Sequence, residues 1–319
     1  MTEPTLNYLT CPDSTGGHRM AYWQWGNPDA VHVVVCVHGL SRQGRDFDVL
    51  AQGLCIATKK LPDGASGGVR VICPDVVGRG ESDWLKDPVG YQLPVYAADM
   101  LALLAHLQVQ APIKALDWVG TSMGGLIGML VAGMPRVAAP GLPPGIESVV
   151  PVRKLVLNDV GPTVEWQALV RIGRYLGQAG EFESVQLAAD AMWAVSTGFG
   201  PHTPAQWLAL SRHMLKPVSV APYSKFRLHY DPTIALPFRQ STEETSKQGS
   251  AMLWQLYDGI KAQTLLLRGA DSDLLSTETA QTMTQRGPHA SLVEFAGVGH
   301  APTLVADNQV KTVVDFLLG

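Results

Sequence analysis

Residues 115–134 read ALDWVGTSMGGLIGMLVAGM and predict a strand, a sharp turn and a helix in immediate succession. The turn is Gly120-Thr121-Ser122-Met123-Gly124, in which small residues at both ends let the backbone fold tightly. Ser122 is expected at its tip, with the hydroxyl above the sheet at a helix N-terminus that favours developing negative charge. We therefore predict that Ser122 is a nucleophile. The alternative is a glycine-rich turn whose serine only caps the helix.

A serine hydroxyl needs a base to take its proton, so a histidine should lie beside Ser122. Nine histidines are present. His300 directly follows the last strand-like run, in the loop GVGHAP at 297–302, and this loop lies at the sheet edge where Ser122 is expected. The other histidines lie in strands, helices or loops that fit the role less well. His300 is the predicted base.

A carboxylate should orient that histidine, and the loop after the strand-like run 264–267 is where we expect it. This loop reads RGADSDLL at 268–275 and offers Asp271 and Asp273. Spacing alone does not choose between them. Either choice gives the chain order serine, acid, histidine.

Two backbone NH groups should stabilise the oxyanion that forms during attack on a carbonyl. One is expected from Met123, the residue after the nucleophile. The other is expected from Leu40 in His38-Gly39-Leu40, the loop that follows the strand-like run 31–37. A plain strand-end turn is the alternative reading of that loop.

Further short β-branched runs surround these motifs and predict the fold class. They lie at 31–37, 69–73, 115–119, 154–157, 264–267 and 291–295, and most are separated by helix-like segments at 95–107, 126–134 and 276–285. Alternating strands and helices predict an α/β protein with a parallel sheet.

The alternation stops after Gly161 and resumes near residue 237. No convincing strand occurs in between, although helical spacing does, so we expect an all-helical insertion at 161–236. Trp166, Trp193 and Trp207 fall inside it and can either pack a core or wall an apolar cavity. A loop rich in Pro, Gly and Ala is expected at 135–151.

Composition narrows the possible partners. The net charge is −4 and no basic run is present, so no nucleic-acid partner is expected. Charged residues make up only 16%, below the roughly 25% of average domains, which favours an apolar pocket. Metal-ligand and phosphate-binding motifs are missing from the sequence, so no cofactor or metal is expected. The four sparse cysteines, the N-terminus without a signal-like stretch and the short apolar runs indicate a cytoplasmic protein that does not bind membranes.

The chain resembles the α/β-hydrolase superfamily through HGL at 38–40, PDVVGRGESD at 74–83, GTSMGG at 120–125 and GVGHAP at 297–302. LNDVGP at 157–162, RIGRYLG at 171–177, LHYDP at 228–232 and RGADSDLLS at 268–276 look like a bacterial subgroup of serine hydrolases. The resemblance implies a mostly parallel eight-stranded sheet with helices on both faces and a helical cap after the sixth strand. The domains would be a core of residues 1–160 and 237–319 and a cap of 161–236. It also favours Asp273 as the acid, although the commoner spacing would place the acid at Ser272.

The expected activity is hydrolysis of a carboxylic ester on a small, largely apolar substrate, with Ser122, Asp273 and His300 as a catalytic triad. Leu40 and Met123 would form the oxyanion hole. Hydrolysis of a carbon–carbon bond in a diketone and acyl transfer to another acceptor use the same residues and remain open. A ligand-binding protein with vestigial catalysis is the alternative from outside enzymology.

Overall fold

The computed structural model describes residues 3–13, 15–59, 67–134, 149–178, 180–218 and 225–319. The loop predicted at 135–151 therefore lies outside the described residues from 135 to 148. The described residues form eleven strands: β1 (Thr5–Cys11), β2 (His18–Gly26), β3 (His32–Val37), β4 (Arg70–Pro74), β5 (Ala115–Thr121), β6 (Val152–Asn158), β7 (Glu181–Phe182), β8 (Leu215–Pro217), β9 (Phe226–Leu228), β10 (Gln263–Gly269) and β11 (Ser291–Phe295).

Ten α-helices accompany these strands in the same ranges. They are α1 (Asp48–Lys59), α2 (Leu93–Gln110), α3 (Met123–Gly133), α4 (Trp166–Tyr175), α5 (Val185–Ser196), α6 (Pro204–Arg212), α7 (Ala235–Gln240), α8 (Glu243–Gly259), α9 (Thr277–Gln285) and α10 (Asp307–Leu318).

Eight of the described strands form one sheet in the order β1-β2-β4-β3-β5-β6-β10-β11. Strand β2 pairs antiparallel with both of its neighbours, and the other pairs are parallel. Parallel strands need crossover connections, and α1, α2, α3 and α9 provide them between successive strands of the sheet. The predicted α/β fold with a mostly parallel eight-stranded sheet is confirmed.

The sheet is buried on both faces because successive strand residues point to opposite sides. In β3, Val33 and Val35 join a core with apolar residues of α2, α3, α8 and α9. Val34 and Cys36 join a second core with residues of α1 and α10. Two apolar layers therefore hold the sheet in place, and its strand ends have fixed positions relative to one another.

The segment between β6 and β10 is not all-helical, and this corrects the expectation for residues 161–236. Besides α4, α5, α6 and α7 it contains a small antiparallel sheet in the order β7-β9-β8. Each of these strands has only two or three residues, too few to show an alternating pattern in the sequence. The name "insertion" is kept below for residues 161–236.

The insertion is joined to the loop that follows β4. Arg79 and Tyr230 form an antiparallel β-bridge. Beside it the Asp231 NH donates a hydrogen bond of 2.7 Å to the Gly78 carbonyl oxygen. The loop after β4 therefore contacts the insertion through backbone atoms, independently of the side chains involved.

A buried ionisable cluster fastens the hairpin of β1 and β2 to α2. His18 Nδ1 lies 3.0 Å from Asp13 Oδ2, and His18 Nε2 lies 2.9 Å from Asp99 Oδ2. Cys11 brings its sulfur within 4.8 Å of ligand-type atoms of His18 and Asp99. Burial opposes protonation of His18, but the hydrogen bonds and charges of Asp99 and Asp13 outweigh it and raise the pKa of His18 above 6.5.

Among the helices of the described residues, none is both long enough and apolar enough to cross a membrane. The cytoplasmic location stays a prediction.

Candidate active site

Ser122 lies on the sharp turn between β5 and α3. Its φ of 52° and ψ of −117° place it in the left-handed half of backbone space, where a non-glycine residue is strained. The turn closes tightly because Gly124 packs on the backbone of Val37. A Cβ on Gly124 would collide with the Val37 carbonyl oxygen, so only glycine fits there. The strand, turn and helix predicted around Ser122 are all present.

His300 bridges Ser122 and a carboxylate from a distant part of the chain. Its Nε2 lies 2.9 Å from Ser122 Oγ, and its Nδ1 lies 2.7 Å from Asp159 Oδ2. In a neutral imidazole of this arrangement, Nδ1–H donates to the carboxylate and Nε2 accepts from the serine hydroxyl. The structure thus brings together two of the three residues predicted as a triad, with an unpredicted carboxylate as the third.

Asp159 is the first residue after β6, the strand beside the one that carries Ser122. Its carboxylate is fully buried and accepts two further hydrogen bonds. The Gly269 NH donates to Oδ1 at 2.8 Å, and the Ser272 hydroxyl donates to Oδ2 at 2.6 Å. Buried charge is stable when hydrogen bonds satisfy it in this way.

Asp273 does not reach His300, which corrects its assignment as the acid. Both of its carboxylate oxygens accept from Arg171, at 2.7 and 2.9 Å, and its side chain is 49% exposed. Asp271 is exposed as well. The physical reason is the direction of the loop: Ser272 points inward to Asp159, so the residues on either side of it point outward.

His38 fixes the loop that holds Leu40. It is completely buried, its Nδ1 donates to the Gly39 carbonyl oxygen at 2.7 Å, and its Nε2 accepts from the Val76 NH at 2.9 Å. Burial lowers the pKa of His38 to about 3, so the ring stays neutral and both contacts persist near pH 7. His38 thus positions the loop and is not available as a base.

The NH groups of Leu40 and Met123 are free of hydrogen-bond partners among the described residues. Arg79 contacts both residues by other atoms. Its Nε donates to the Leu40 carbonyl oxygen at 2.8 Å, and its Nη2 lies 3.7 Å from Met123 Sδ. The fully buried guanidinium of Arg79 therefore contacts both Leu40 and Met123, the residues whose NH groups are predicted to bind the oxyanion.

Arg79 is held in turn by the loop that carries it and by α2. Its Nη1 donates to the Val77 carbonyl oxygen at 2.7 Å and to the Tyr96 hydroxyl at 3.0 Å. The ring of Tyr96 lies 5.0 Å from the guanidinium carbon, within the range of a cation–π contact. These neutral partners leave the positive charge of Arg79 in place beside Leu40.

Ser122 and His300 open into a cavity of about 350 Å³. Apolar side chains of the insertion cover much of its wall, among them Ile172, Met192, Phe199, Leu210 and Tyr230. Two of the three insertion tryptophans pack in a core and do not line the cavity. Trp193 and Trp207 stack edge to face at 4.9 Å within a core of the insertion, and neither lines the cavity. A cavity of this volume holds a small organic molecule.

Comparison with known proteins identifies the family to which the chain belongs. Residues 34–315 match the family described as the alpha/beta hydrolase family. Since the match covers most of the sequence, the chain belongs to the alpha/beta hydrolase family, and the protein is a hydrolase.

Two similar proteins are informative. A 3-hydroxybutyrate-oligomer hydrolase from Cupriavidus necator is 45% identical over 317 residues, which are 99% of each chain. The crystal structure of an alpha/beta hydrolase from Novosphingobium aromaticivorans is 32% identical with a TM-score of 0.78, over 100% of this chain and 99% of that one.

Asp159 was missed because a single aspartate after a strand has no local signature. The position of Asp159 in the predicted sheet nevertheless indicated that it could lie near Ser122. Asp159 follows a predicted strand in LNDVGP, and a parallel sheet brings the carboxyl ends of its strands to one edge. Asp159 was therefore as eligible on topology as Asp271 or Asp273.

Proposed function

We propose that this hydrolase is a serine esterase whose catalytic triad is Ser122, His300 and Asp159. The observation that supports the proposal most directly is the pair of hydrogen bonds made by His300, 2.9 Å to Ser122 Oγ and 2.7 Å to Asp159 Oδ2. A base within hydrogen-bond reach of a hydroxyl, held by a buried carboxylate, is the arrangement that activates a serine.

In the first half of the reaction Ser122 Oγ attacks the ester carbonyl carbon while His300 Nε2 takes its proton. The carbonyl oxygen becomes an oxyanion, to which the NH groups of Leu40 and Met123 would donate. Collapse of this intermediate breaks the ester bond. The departing alcohol takes the proton from Nε2, and Ser122 is left acylated.

In the second half a water molecule gives a proton to His300 Nε2 and attacks the acyl carbon. Collapse of the second tetrahedral intermediate returns that proton to Ser122 Oγ and releases a carboxylic acid. Asp159 keeps Nδ1–H in place throughout and stabilises the imidazolium that exists between the two transfers.

We further propose that the substrates are short esters of hydroxy acids, and that the insertion is a cap over the cavity. The name of the Cupriavidus necator relative, a 3-hydroxybutyrate-oligomer hydrolase, supports this substrate class at 45% identity. The cavity of about 350 Å³ with its apolar wall agrees with a substrate of a few such units and not with a polymer. Oligomers of this kind contain ester bonds, which favours ester hydrolysis over carbon–carbon cleavage.

The test is hydrolysis of p-nitrophenyl butyrate and of 3-hydroxybutyrate dimer by wild type, Ser122→Ala and Ser196→Ala. Ser196 lines the same cavity from the insertion and serves as the matched control. Loss of the nucleophile should lower kcat by at least about 10³-fold on both substrates. Equal rates for wild type and Ser122→Ala would refute the proposal. Better kcat/KM on a vinylogous diketone, or new esters formed with added alcohol, would point to the carbon–carbon hydrolase or the acyltransferase instead.

A further inference from the structure

Two arginines line the cavity, and their partners differ. Arg42 is paired with Asp46 through two hydrogen bonds of 2.7 and 2.8 Å, and it also donates to the Leu210 carbonyl oxygen at 3.3 Å. The side chains of Arg42 and Asp46 are only 13% and 17% exposed, and both line the cavity. This pair therefore adds no net charge to the wall, and separating it would leave a poorly solvated carboxylate.

Arg171, on α4, lines the cavity without its carboxylate partner. Asp273 holds Arg171 through Nε and Nη2 but lies on the loop after β10, outside the lining. The side chains are 40% and 49% exposed, so water can solvate either one when they separate. Ion pairs this exposed are weak. Of the two arginines that line the cavity, Arg171 can therefore exchange its carboxylate partner at the lower cost in free energy.

The surroundings of Arg171 suit an anionic group at the end of an apolar chain. Ile172 and Tyr175, its neighbours on α4, line the same cavity. Burial raises the pKa of the Tyr175 hydroxyl, so this residue stays neutral at pH 7. An arginine fork binds a carboxylate through two parallel hydrogen bonds, as Asp273 already demonstrates.

We propose that Arg171 binds the free carboxylate of a hydroxy-acid oligomer, replacing Asp273 as its partner when the substrate enters. The inference rests on the proposed ester hydrolysis and adds the end of the substrate that is recognised. An oligomer of a hydroxy acid has a hydroxyl at one end and a carboxylate at the other. The enzyme then selects acid-terminated esters over neutral esters of equal length.

The experiment compares kcat/KM on 3-hydroxybutyrate dimer with kcat/KM on the methyl ester of the same dimer. The ratio of the two isolates the carboxylate when only cleavage of the internal ester bond, which both substrates share, is counted. Release of methyl 3-hydroxybutyrate from the methyl ester measures that cleavage, and release of methanol measures hydrolysis of the terminal methyl ester. Arg171→Gln should lower the ratio about threefold to tenfold, as expected for loss of a charged hydrogen-bonded pair that is partly exposed to water. Arg174→Gln is the matched control, since Arg174 is an exposed arginine on the same helix outside the cavity lining, and it should leave the ratio unchanged.

Asp273→Asn gives an independent readout. Removal of the competing carboxylate should raise the ratio, chiefly by lowering KM for the free acid. An unchanged ratio in Arg171→Gln, or a lower ratio in Asp273→Asn, would overturn the proposal. So would wild-type enzyme that prefers the methyl ester.

Failure of this proposal is distinguishable from failure of the proposed function. Ser122 would act on the acid and the methyl ester alike, so Ser122→Ala tests catalysis without moving the ratio. An enzyme that needs Ser122 for both substrates but ignores Arg171 retains the proposed function and loses this inference.

Discussion

Ser272 and Asp159 share a hydrogen bond of 2.6 Å, although 113 positions separate them in the sequence. Ser272 stands at the position where the commoner spacing of the superfamily would place the acid. Here it donates to Asp159, which contacts His300 from the neighbouring strand end. The carboxylate that contacts the imidazole thus follows β6, and the serine that donates to this carboxylate follows the adjacent strand β10.

The first prediction separates the three aspartates considered for the acid. Asp159→Asn should lower kcat on p-nitrophenyl butyrate by about 10²- to 10⁴-fold, because an amide no longer holds Nδ1–H and the ring can adopt the wrong tautomer. Asp271→Asn is the exposed control and should retain kcat within about threefold. A larger loss of kcat in Asp273→Asn than in Asp159→Asn would restore the original assignment.

A second prediction concerns Ser272 as a positioning residue. Ser272→Ala removes one of the hydrogen bonds to the buried carboxylate and should lower kcat about 10-fold, with little change in KM. Ser272→Thr keeps a hydroxyl donor at this position and should recover most of the lost kcat. Equal losses of kcat in Ser272→Ala and Ser272→Thr would mean that the hydrogen bond to Asp159 does not affect the rate.

A third prediction interchanges the residues at positions 159 and 272. The double variant Asp159→Ser with Ser272→Asp places the carboxylate on the loop after β10 and the hydroxyl after β6. It should recover at least about tenfold in kcat over Asp159→Ser alone, since the same two strand ends meet the same imidazole. The result is measured by the double-mutant cycle on p-nitrophenyl butyrate. Activity of the double variant equal to that of the worse single variant would show that only Asp159 can fill the position.

A fourth prediction concerns Arg79 and the predicted oxyanion hole. Arg79→Met leaves the Leu40 carbonyl oxygen without its donor and removes a buried positive charge, so kcat should fall about 10- to 100-fold while KM changes little. A boronic acid that mimics the tetrahedral intermediate should lose affinity by the same factor as kcat/KM. Arg79→Lys keeps the charge and should recover part of kcat. If the boronic acid binds Arg79→Met as tightly as wild type, Arg79 supports folding alone.

The fifth prediction is a pH dependence of stability from His18. Its pKa is raised above the unfolded value of 6.5, so its contribution to the free energy of unfolding is complete below pH 6.5 and is lost as pH rises through the folded pKa. Burial raises the pKa of Asp99 as well, so the contribution of Asp99 to the free energy of unfolding falls as pH rises from 3.8 through its folded pKa. The Tm difference between wild type and His18→Gln should therefore be larger near pH 5.5 than near pH 9. The opposite order would contradict the cluster as described.

The sequence was most informative where chemistry is encoded locally. Ser122 was found because the turn needs glycines at fixed spacing, and His300 was found because it follows the last strand. Asp159 was not, since its place depends on which strand ends become neighbours and on the direction of a loop 110 residues away. The short strands β7, β8 and β9 were missed for a different reason: their pairing is tertiary and leaves no period in two or three residues.

The β-bridge between Arg79 and Tyr230 connects the cavity wall to a residue that contacts the loop of Leu40. Tyr230 forms part of the cavity wall, and Arg79 donates a hydrogen bond to the Leu40 carbonyl oxygen. The cavity wall at Tyr230 and the loop of Leu40 are therefore connected through a single residue, Arg79.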